Sequence, residues 1–180
     1  MSTAQSPRCS VARSLEVLGE KWTLLVVREA FWGATRFSEF KSTLSVASDI
    51  LTNRLATLVD AGVLERRAYR EDGARERFSY HLTESGLALR PVLAALTQWG
   101  DAFRPSGFGP AAVYRERESA APVRIAFVSD DGRVIEPLDV EVVRGGAALE
   151  GAPLEGALRD GALANAGALA NASALANASE

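Results

Sequence analysis

The order of hydrophobic patterns between residues 9 and 103 constrains the fold of this chain most strongly. Four segments with helical spacing come first, at 9–18, 21–32, 36–44 and 45–62. Two short alternating segments follow, 63–71 and 75–83, separated by an Asp72-Gly73 turn signal. A long amphipathic segment then extends to Phe103. This order predicts a helical group, a hairpin and a final helix, which is a mainly α arrangement with a small β element.

The fourth helical segment, 45–62, separates two faces most clearly. Leu51, Leu55 and Leu58 have the spacing of a helix that buries one side, and Gly62 is typical of a helix end. The opposite face carries small polar and acidic residues: Ser48, Asp49, Thr52 and Asn53. An Asn amide can pair with adenine, a Ser or Thr hydroxyl can reach bases or phosphates, and an Asp can accept from a cytosine amine. The alternative is a polar face that meets only solvent.

An arginine-bearing hairpin behind a helical group predicts a winged helix-turn-helix, an α+β fold in which one helix enters the DNA major groove. Arg75 and Arg77 follow the turn of this hairpin, which we call the wing. Guanidinium groups at that place can contact phosphate or the minor groove. The alternative is pairing with acidic residues of the same hairpin, Glu65, Glu71, Asp72 and Glu76, which contributes little at a surface.

Three further basic residues are candidates for DNA contact. Arg36 and Lys41 flank the helix predicted at 36–44, which is expected to cross the DNA backbone, and they can position it. Arg54 lies at the side of the 45–62 helix. It can contact DNA, or it can hold a Glu or Asp within the fold.

The last segment of this region predicts a helix with a packing seam. Thr83 can cap it. Its large apolar residues step by three and four, a spacing used in helix–helix packing: Leu89, Val92, Leu96, Trp99 and Phe103. Pro91 lies inside the segment, where proline can kink a helix. Four aromatic residues, Trp22, Phe31, Trp32 and Trp99, are interpreted as packed core, with a ligand pocket as the alternative.

The chain beyond this region has a different composition. A Gly/Pro linker at 105–110 precedes segments that predict a small β-hairpin with a third short strand, within an extension spanning 105–150. Residues 151–180 are dominated by an Ala-Leu-Ala-Asn repeat and are interpreted as a disordered tail or a non-native addition. Residues 1–8 are predicted to be disordered. The predicted core domain is therefore 9–104.

Charge and composition exclude several function classes. The net charge is −3, but residues 1–104 carry 14 Lys and Arg against 12 Asp and Glu, whereas residues 105–180 carry 6 against 11. A local basic patch matters more to DNA than the global sum. One Cys and one His are too few for a zinc site, and no apolar run reaches the roughly 18 residues of a membrane span. The sequence shows no catalytic triad spacing and no phosphate loop, so we expect no enzymatic activity. We also expect no metal and no cofactor, and a cytoplasmic, nucleoid-associated location.

Cys9 opens the first predicted helix. A thiol at a helix N-terminus favours the thiolate, which makes Cys9 a candidate for redox sensing. The alternative is a small buried apolar residue, because free cysteines are among the most buried residue types. With a single cysteine, the available protein disulfide joins Cys9 to Cys9 of a second copy; the alternative is a mixed disulfide with a small thiol.

Several of these segments together resemble the HxlR-type family of bacterial transcriptional regulators. The resemblance covers residues 9–103 and rests on Cys9, the turn Gly19-Glu20-Lys21-Trp22, Arg36-Phe37, the helix with Leu51, Arg54 and Leu55, and the segment from Tyr80 to Gly86. It implies a winged-helix homodimer formed mainly by the first and last helices, through Val11 and Leu15 together with the seam from Leu89 to Phe103. It also implies binding to a pseudo-palindromic site in double-stranded DNA, as a repressor or an activator that responds to a metabolite or to thiol-reactive stress.

The chain departs from the family pattern at two positions. Ala47 lies where a Ser or Thr usually caps the recognition helix, with Ser45 and Ser48 as substitutes, and Asp49 lies where a basic residue is usual. Base specificity therefore does not carry over from the family. The alternative function is a winged-helix adaptor that binds proteins, with the acidic segment 105–155 as its docking surface.

Overall fold

The computed structural model describes residues 9–70 and 75–143. The predictions for residues 1–8, for the Asp72-Gly73 turn and for 151–180 therefore lie outside the described residues, as does the end of the 105–150 extension. The chain divides into two compact units, with the boundary between Arg90 and Pro91. No helix in the described ranges is both long and apolar enough to cross a membrane.

The first unit contains the predicted order of helices and strands. Its elements are α1 (Ser10–Leu18), α2 (Lys21–Phe31), α3 (Phe37–Leu44), α4 (Ser48–Asp60), β1 (Leu64–Tyr69), β2 (Arg77–Leu82) and the single-turn α5 (Glu84–Leu87). The second unit contains most of α6 (Arg90–Phe103), then β3 (Phe127–Val128), β4 (Val134–Ile135) and a 3-10 turn (Pro137–Asp139). The predicted winged helix-turn-helix is confirmed.

The core of the first unit lies where α2, α3 and α4 meet. Val26 and Val27 of α2 are fully buried, as is Phe40 of α3. The leucines predicted for the buried face of α4 are buried: Leu51, Leu55 and Leu58. Each fully buried side chain of this size contributes about 1.5–3 kcal/mol to folding. Because all three leucines point inward, the orientation of α4 is fixed and its opposite face meets solvent.

The end of α4 is closed by a Schellman arrangement. Gly62 has a φ of +69°, which lets its N–H donate to the Val59 carbonyl at 2.9 Å while Val63 N–H donates to the Leu58 carbonyl at 2.9 Å. The Thr83 hydroxyl donates to the Gly62 carbonyl at 2.6 Å. These bonds tie the start of β1 and the end of β2 to the last turn of α4.

The wing is an antiparallel pair in which Leu64 lies opposite Leu82 and Tyr69 lies opposite Arg77. An isolated β-bridge extends it, because Arg36 pairs with Ser79 and Tyr80 N–H donates to the Thr35 carbonyl at 2.7 Å. The N-terminus of α3 is therefore fixed to the sheet.

The prediction of one long helix after Thr83 is wrong. Thr83 does cap a helix, accepting from Gly86 N–H at 3.2 Å, but α5 ends at Leu87 and α6 begins at Arg90. Pro91 explains the interruption, because it has no N–H to donate to the Leu87 carbonyl and is tolerated in the first turn of a helix, where it lies in α6. Leu89 therefore lies in a turn and not on the helix that carries the rest of the seam.

The predicted hairpin of the extension is present, with Phe127 opposite Ile135 and Val128 opposite Val134. The third strand is not found among the described residues up to Val143, where Pro137–Asp139 instead form the 3-10 turn. Proline cannot donate to a strand ladder, which accounts for the difference. The Gln98 side chain of α6 bonds the Ile125 backbone in both directions, with Nε2 at 3.0 Å from the carbonyl and Oε1 at 2.5 Å from the N–H.

Candidate nucleic-acid interface

The outward face of α4 is polar and exposed, as predicted from the spacing of its leucines. Ser48, Asp49, Thr52 and Asn53 are all exposed. The Thr52 hydroxyl donates to the Ser48 carbonyl at 2.7 Å, which leaves its oxygen able to accept from a ligand. Ser45 and Ser48 do not replace the missing cap, because no side-chain hydrogen bond caps α4 at Ala47. Within the described part of the chain, the first-turn N–H groups of α4 therefore have no side-chain acceptor.

The turn that joins α3 to α4 has an unusual backbone. Ser45 has a φ of +50° and a left-handed conformation, and its N–H donates to the Lys41 carbonyl at 3.0 Å. Val46 next to it is buried. This pair ends α3 and turns the chain into α4, so it sets the angle between the two helices. A serine at position 45 does not predict this conformation, because glycine and asparagine are the usual residues in the left-handed region.

Glu39 fixes the start of α3. Its Oε2 accepts from Arg36 N–H at 2.8 Å and from Thr35 N–H at 2.7 Å. These backbone hydrogen bonds lower the pKa of the Glu39 carboxyl. Arg36 and Lys41 are exposed on this helix, and the Arg36 guanidinium lies 4.9 Å from the centre of the Tyr69 ring. Arg36 is thus positioned between α3 and the wing.

Arg54 occupies the alternative place considered for it. Its Nη1 lies 3.8 Å from Glu20 Oε2, and its side chain is 23% exposed. The contact connects the turn before α2 to the middle of α4. This geometry favours a structural role for Arg54 over direct contact with DNA.

The wing presents several arginines with different neighbours. Arg75 and Arg77 are exposed and form no ion pair with any residue of the described ranges. Arg67 pairs with Glu65, and Arg66 lies 4.1 Å from the centre of the Phe78 ring. The stacking of arginine on aromatic rings is a feature that sequence reasoning missed. The alternation of charged and aromatic residues along both strands was the available signal.

The lone histidine, His81, has a structural place on the wing. His81 Nε2 lies 2.9 Å from the Ser79 hydroxyl on the wing. Its pKa is lowered, first because the ring is partly buried and second because Arg67 is near. No cluster of three His, Cys, Asp or Glu side chains suited to a metal occurs within the described part of the chain.

Cys9 is the N-cap of α1. Its Sγ accepts from Ala12 N–H at 3.4 Å, and the residue is half-buried. The helix that follows buries none of its residues in a single chain, and Val11 and Leu15 are 67% and 56% exposed. An amphipathic helix with its apolar residues in solvent is an incomplete packing unit.

The stripe on α6 is also exposed. Its members Val92, Leu96, Trp99 and Phe103 are between 43% and 69% exposed, and the Trp99 and Phe103 rings lie 5.9 Å apart. Trp99 and Trp32 are both more than half exposed, so the packed-core interpretation is wrong for these two residues within one chain.

Comparisons with known proteins place this architecture in a family. The model of the HxlR-like helix-turn-helix family matches residues 17–107. The uncharacterized HTH-type transcriptional regulator Rv3095 of Mycobacterium tuberculosis is 44% identical over 101 residues, which are 56% of this chain and 63% of that protein's length. The regulator YvaP of Bacillus subtilis is 32% identical over 97 residues, which are 53% of this chain and 88% of YvaP.

Two solved structures share the fold over a longer part of the chain. The structure of PA1607, a candidate transcription factor, has a TM-score of 0.65 at 37% identity and covers 79% of this chain and 99% of its own. The structure of PA1374 from Pseudomonas aeruginosa, also a candidate transcription factor, has a TM-score of 0.55 at 39% identity and covers 79% and 96%. This chain therefore belongs to the HxlR-like family of helix-turn-helix transcriptional regulators.

Proposed function

We propose that this protein is a sequence-specific DNA-binding transcriptional regulator that acts as a homodimer. One observation carries the proposal. The first unit buries the leucine face of α4 and exposes its polar face, beside a wing with exposed arginines. Helix-turn-helix proteins read bases from the N-terminal part of such a helix, while a wing contacts the backbone.

The residues divide into base-reading and backbone-positioning groups. Asn53 can make two hydrogen bonds to adenine, Asp49 can accept from a cytosine amine, and Ser48 and Thr52 can reach base edges or phosphates. The groups proposed to contact phosphate are Arg36, Lys41, Arg75 and Arg77. Arg54 acts in this proposal through Glu20, by holding α4 in place.

The charge of the interface supports DNA as the partner in spite of the net charge of −3. By sequence, the wing carries arginines at 66, 67, 70, 75 and 77 against Glu65, Glu71, Asp72 and Glu76. Binding that relies on such groups weakens steeply as salt is added, because each neutralised phosphate releases counterions.

The proposed dimer uses the two exposed apolar faces, the α1 face with Val11 and Leu15 and the α6 stripe. Leu89, predicted to belong to the same seam, is half-buried in the turn before α6 and is a lesser contributor. Covering each large side chain contributes about 1.5–3 kcal/mol. Two copies related by a two-fold axis would present their recognition helices to successive major grooves, roughly 34 Å apart, on a pseudo-palindromic operator.

Regulation through Cys9 is part of the proposal. A thiol that caps a helix of the proposed interface is well placed to report oxidation. An oxidant such as diamide takes two electrons and two protons from two thiols, forming a disulfide between Cys9 and the partner subunit's Cys9 while the diamide becomes the hydrazine. Cys9→Ser removes this reaction. An operator affinity that responds to diamide equally in both proteins would contradict the role of Cys9.

Genomic selection of DNA fragments with the purified protein, followed by footprinting, tests the central proposal. We expect protected half-sites about one helical turn apart, with two-fold symmetry. Equal, weak binding to all fragments, together with capture of a protein partner by the acidic extension, would support the adaptor alternative. The proposal includes a cytoplasmic location at the nucleoid and no catalytic step.

A further inference from the structure

A cleft of about 420 Å³ opens between the N-terminus of α3 and the far end of the wing. We call it the wing cleft. Its lining consists of Phe37, Ser38, Tyr69, Arg77, Phe78 and Tyr80. None of these residues belongs to the aromatic group interpreted as core or pocket from the sequence. The volume lies within the range of about 300–1,000 Å³ typical of sites for small molecules.

The chemistry of the lining restricts what can bind. Among the described residues that line the cleft, four of six are aromatic, so a bare inorganic anion would leave most of their apolar surface uncovered. Tyr69 lies opposite Arg77 and shares one face of the wing with it, whereas Phe78 and Tyr80 lie on the other face. A flat aromatic ligand matches the Tyr69 side, because offset or edge-to-face ring contacts are favourable beyond simple burial. The Ser38 hydroxyl and the two tyrosine hydroxyls provide the few polar groups that fix orientation.

The charge around the cleft selects an anion. Arg77 lies in the lining, and no described carboxylate is within ion-pair distance of it. Two of the rings already carry guanidinium groups, with Arg36 over Tyr69 at 4.9 Å and Arg66 over Phe78 at 4.1 Å. A cationic ligand would be repelled. Arg77 is exposed, so a carboxylate can form a charge-assisted hydrogen bond with it that a neutral ligand cannot.

We propose that the wing cleft binds a small planar aromatic carboxylate, with the ring against Tyr69 and the carboxylate on Arg77. Such an occupant contacts α3 and both wing strands at once. Because Arg77 is also proposed to contact DNA phosphate, occupancy lowers DNA affinity. This second step rests on the proposed function, whereas binding to the cleft does not.

Benzoate is the probe, titrated into the full chain by calorimetry or by ligand-observed NMR. Cyclohexanecarboxylate keeps the charge without the flat ring, and benzyl alcohol keeps the ring without the charge. We expect benzoate to bind more tightly than either. Arg77→Gln should weaken benzoate about tenfold and leave benzyl alcohol unchanged, since it removes one charge-assisted contact. Tyr69→Leu should weaken benzoate more than cyclohexanecarboxylate.

The matched control is Arg117→Gln, an exposed arginine of the second unit. It should bind benzoate like the parent protein, and an equal loss in both variants would reduce the effect to net charge and overturn the inference. Unchanged thermal unfolding shows that each variant is folded. Absence of benzoate binding, or equal affinity for benzoate and cyclohexanecarboxylate, also overturns it.

Measurements of DNA binding separate this inference from the proposed function. If benzoate binds but no DNA fragment is selected, the proposed function fails and the cleft assignment stands. If DNA is bound and Arg77→Gln weakens it without affecting benzoate, the cleft serves a DNA phosphate and the inference is wrong. If benzoate competes with selected DNA in the parent protein but not in Arg77→Gln, both hold.

Discussion

The helices α4 and α6 both expose one face, but the two faces have opposite chemistry. Helix α4 buries Leu51, Leu55 and Leu58 within its own unit and leaves polar side chains in solvent. Helix α6 leaves Val92, Leu96, Trp99 and Phe103 in solvent. A polar face can meet water without a partner, whereas a row of large apolar side chains is stable only when covered. The difference teaches that the exposed face of α6 has the chemistry of a packing surface, whereas the exposed face of α4 has the chemistry of a surface that water can cover.

Leu96→Glu gives the largest expected effect. In the proposed dimer a carboxylate on the α6 stripe would be buried without a cation, so we expect the dimer dissociation constant to rise by at least about 100-fold. Analytical ultracentrifugation over a range of concentrations measures it. The control is Ala102→Glu, which adds the same charge on α6 outside the stripe and should leave the dimer intact. If Leu96→Glu sediments with the same dimer mass as the parent protein, the α6 stripe is not the dimer interface and the contrast between the two helices is wrong.

Asn53→Ala tests the exposed polar face of α4. Loss of a two-bond contact to a base should weaken binding to the selected operator by about 10-fold to 100-fold, with little change for unrelated DNA and none in dimer mass. Fluorescence anisotropy at fixed salt measures both affinities. Asp60→Asn, at the other end of α4, is the matched control. A uniform loss on every DNA sequence would mean that Asn53 contacts only the backbone.

The Glu39 carboxylate gives a smaller, pH-dependent effect. Because its folded pKa is lowered, its contribution is present above the unfolded value near 4.5 and is lost as pH falls through the folded value. The group is exposed, so we expect less than about 1 kcal/mol. Glu39→Gln keeps an acceptor oxygen without the titration. Urea unfolding at pH 6 and pH 3.5 should therefore show a smaller stability loss in Glu39→Gln than in the parent, and equal losses would contradict the assignment.

The smallest expected effect is at the turn between α3 and α4. Ser45→Gly relieves a left-handed conformation and should raise the free energy of unfolding by up to about 1 kcal/mol, reduced by the greater freedom of glycine in the unfolded chain. Thermal or urea unfolding measures it. Ser42→Gly, within α3, should instead destabilise by about 0.5–1 kcal/mol. A destabilised Ser45→Gly protein would show that the serine side chain matters more than its backbone strain.

The fold could be predicted where a repeating pattern exists. The spacing of Leu51, Leu55 and Leu58 fixed which face of α4 is buried, and with it the exposed candidates for base contact. The break at Leu89 was missed because an apolar seam continues through it, while Pro91 acts on backbone geometry that side-chain periodicity does not record. The third strand of the extension was missed for a similar reason at Pro137.

Other features depend on neighbours that a linear pattern cannot supply. Glu29 is buried on α2 beside Arg28, and Thr23 is fully buried, although the segment was interpreted from its apolar residues alone. The partner of Arg54 is Glu20, which is 34 positions away in sequence. The stacking of Arg36 on Tyr69 likewise joins residues that meet only after the sheet has formed.

The bond from Thr83 to the Gly62 carbonyl has a mechanical consequence. Three segments are hydrogen-bonded together here: the last turn of α4, the start of β1 and the end of β2. Gly86 of α5 packs closely against the same segment, because a Cβ atom at this position would lie 2.3 Å from the Val63 carbonyl oxygen. Because these bonds join α4, β1 and β2 at one place, we expect any displacement of α5 to move the wing and α4 together.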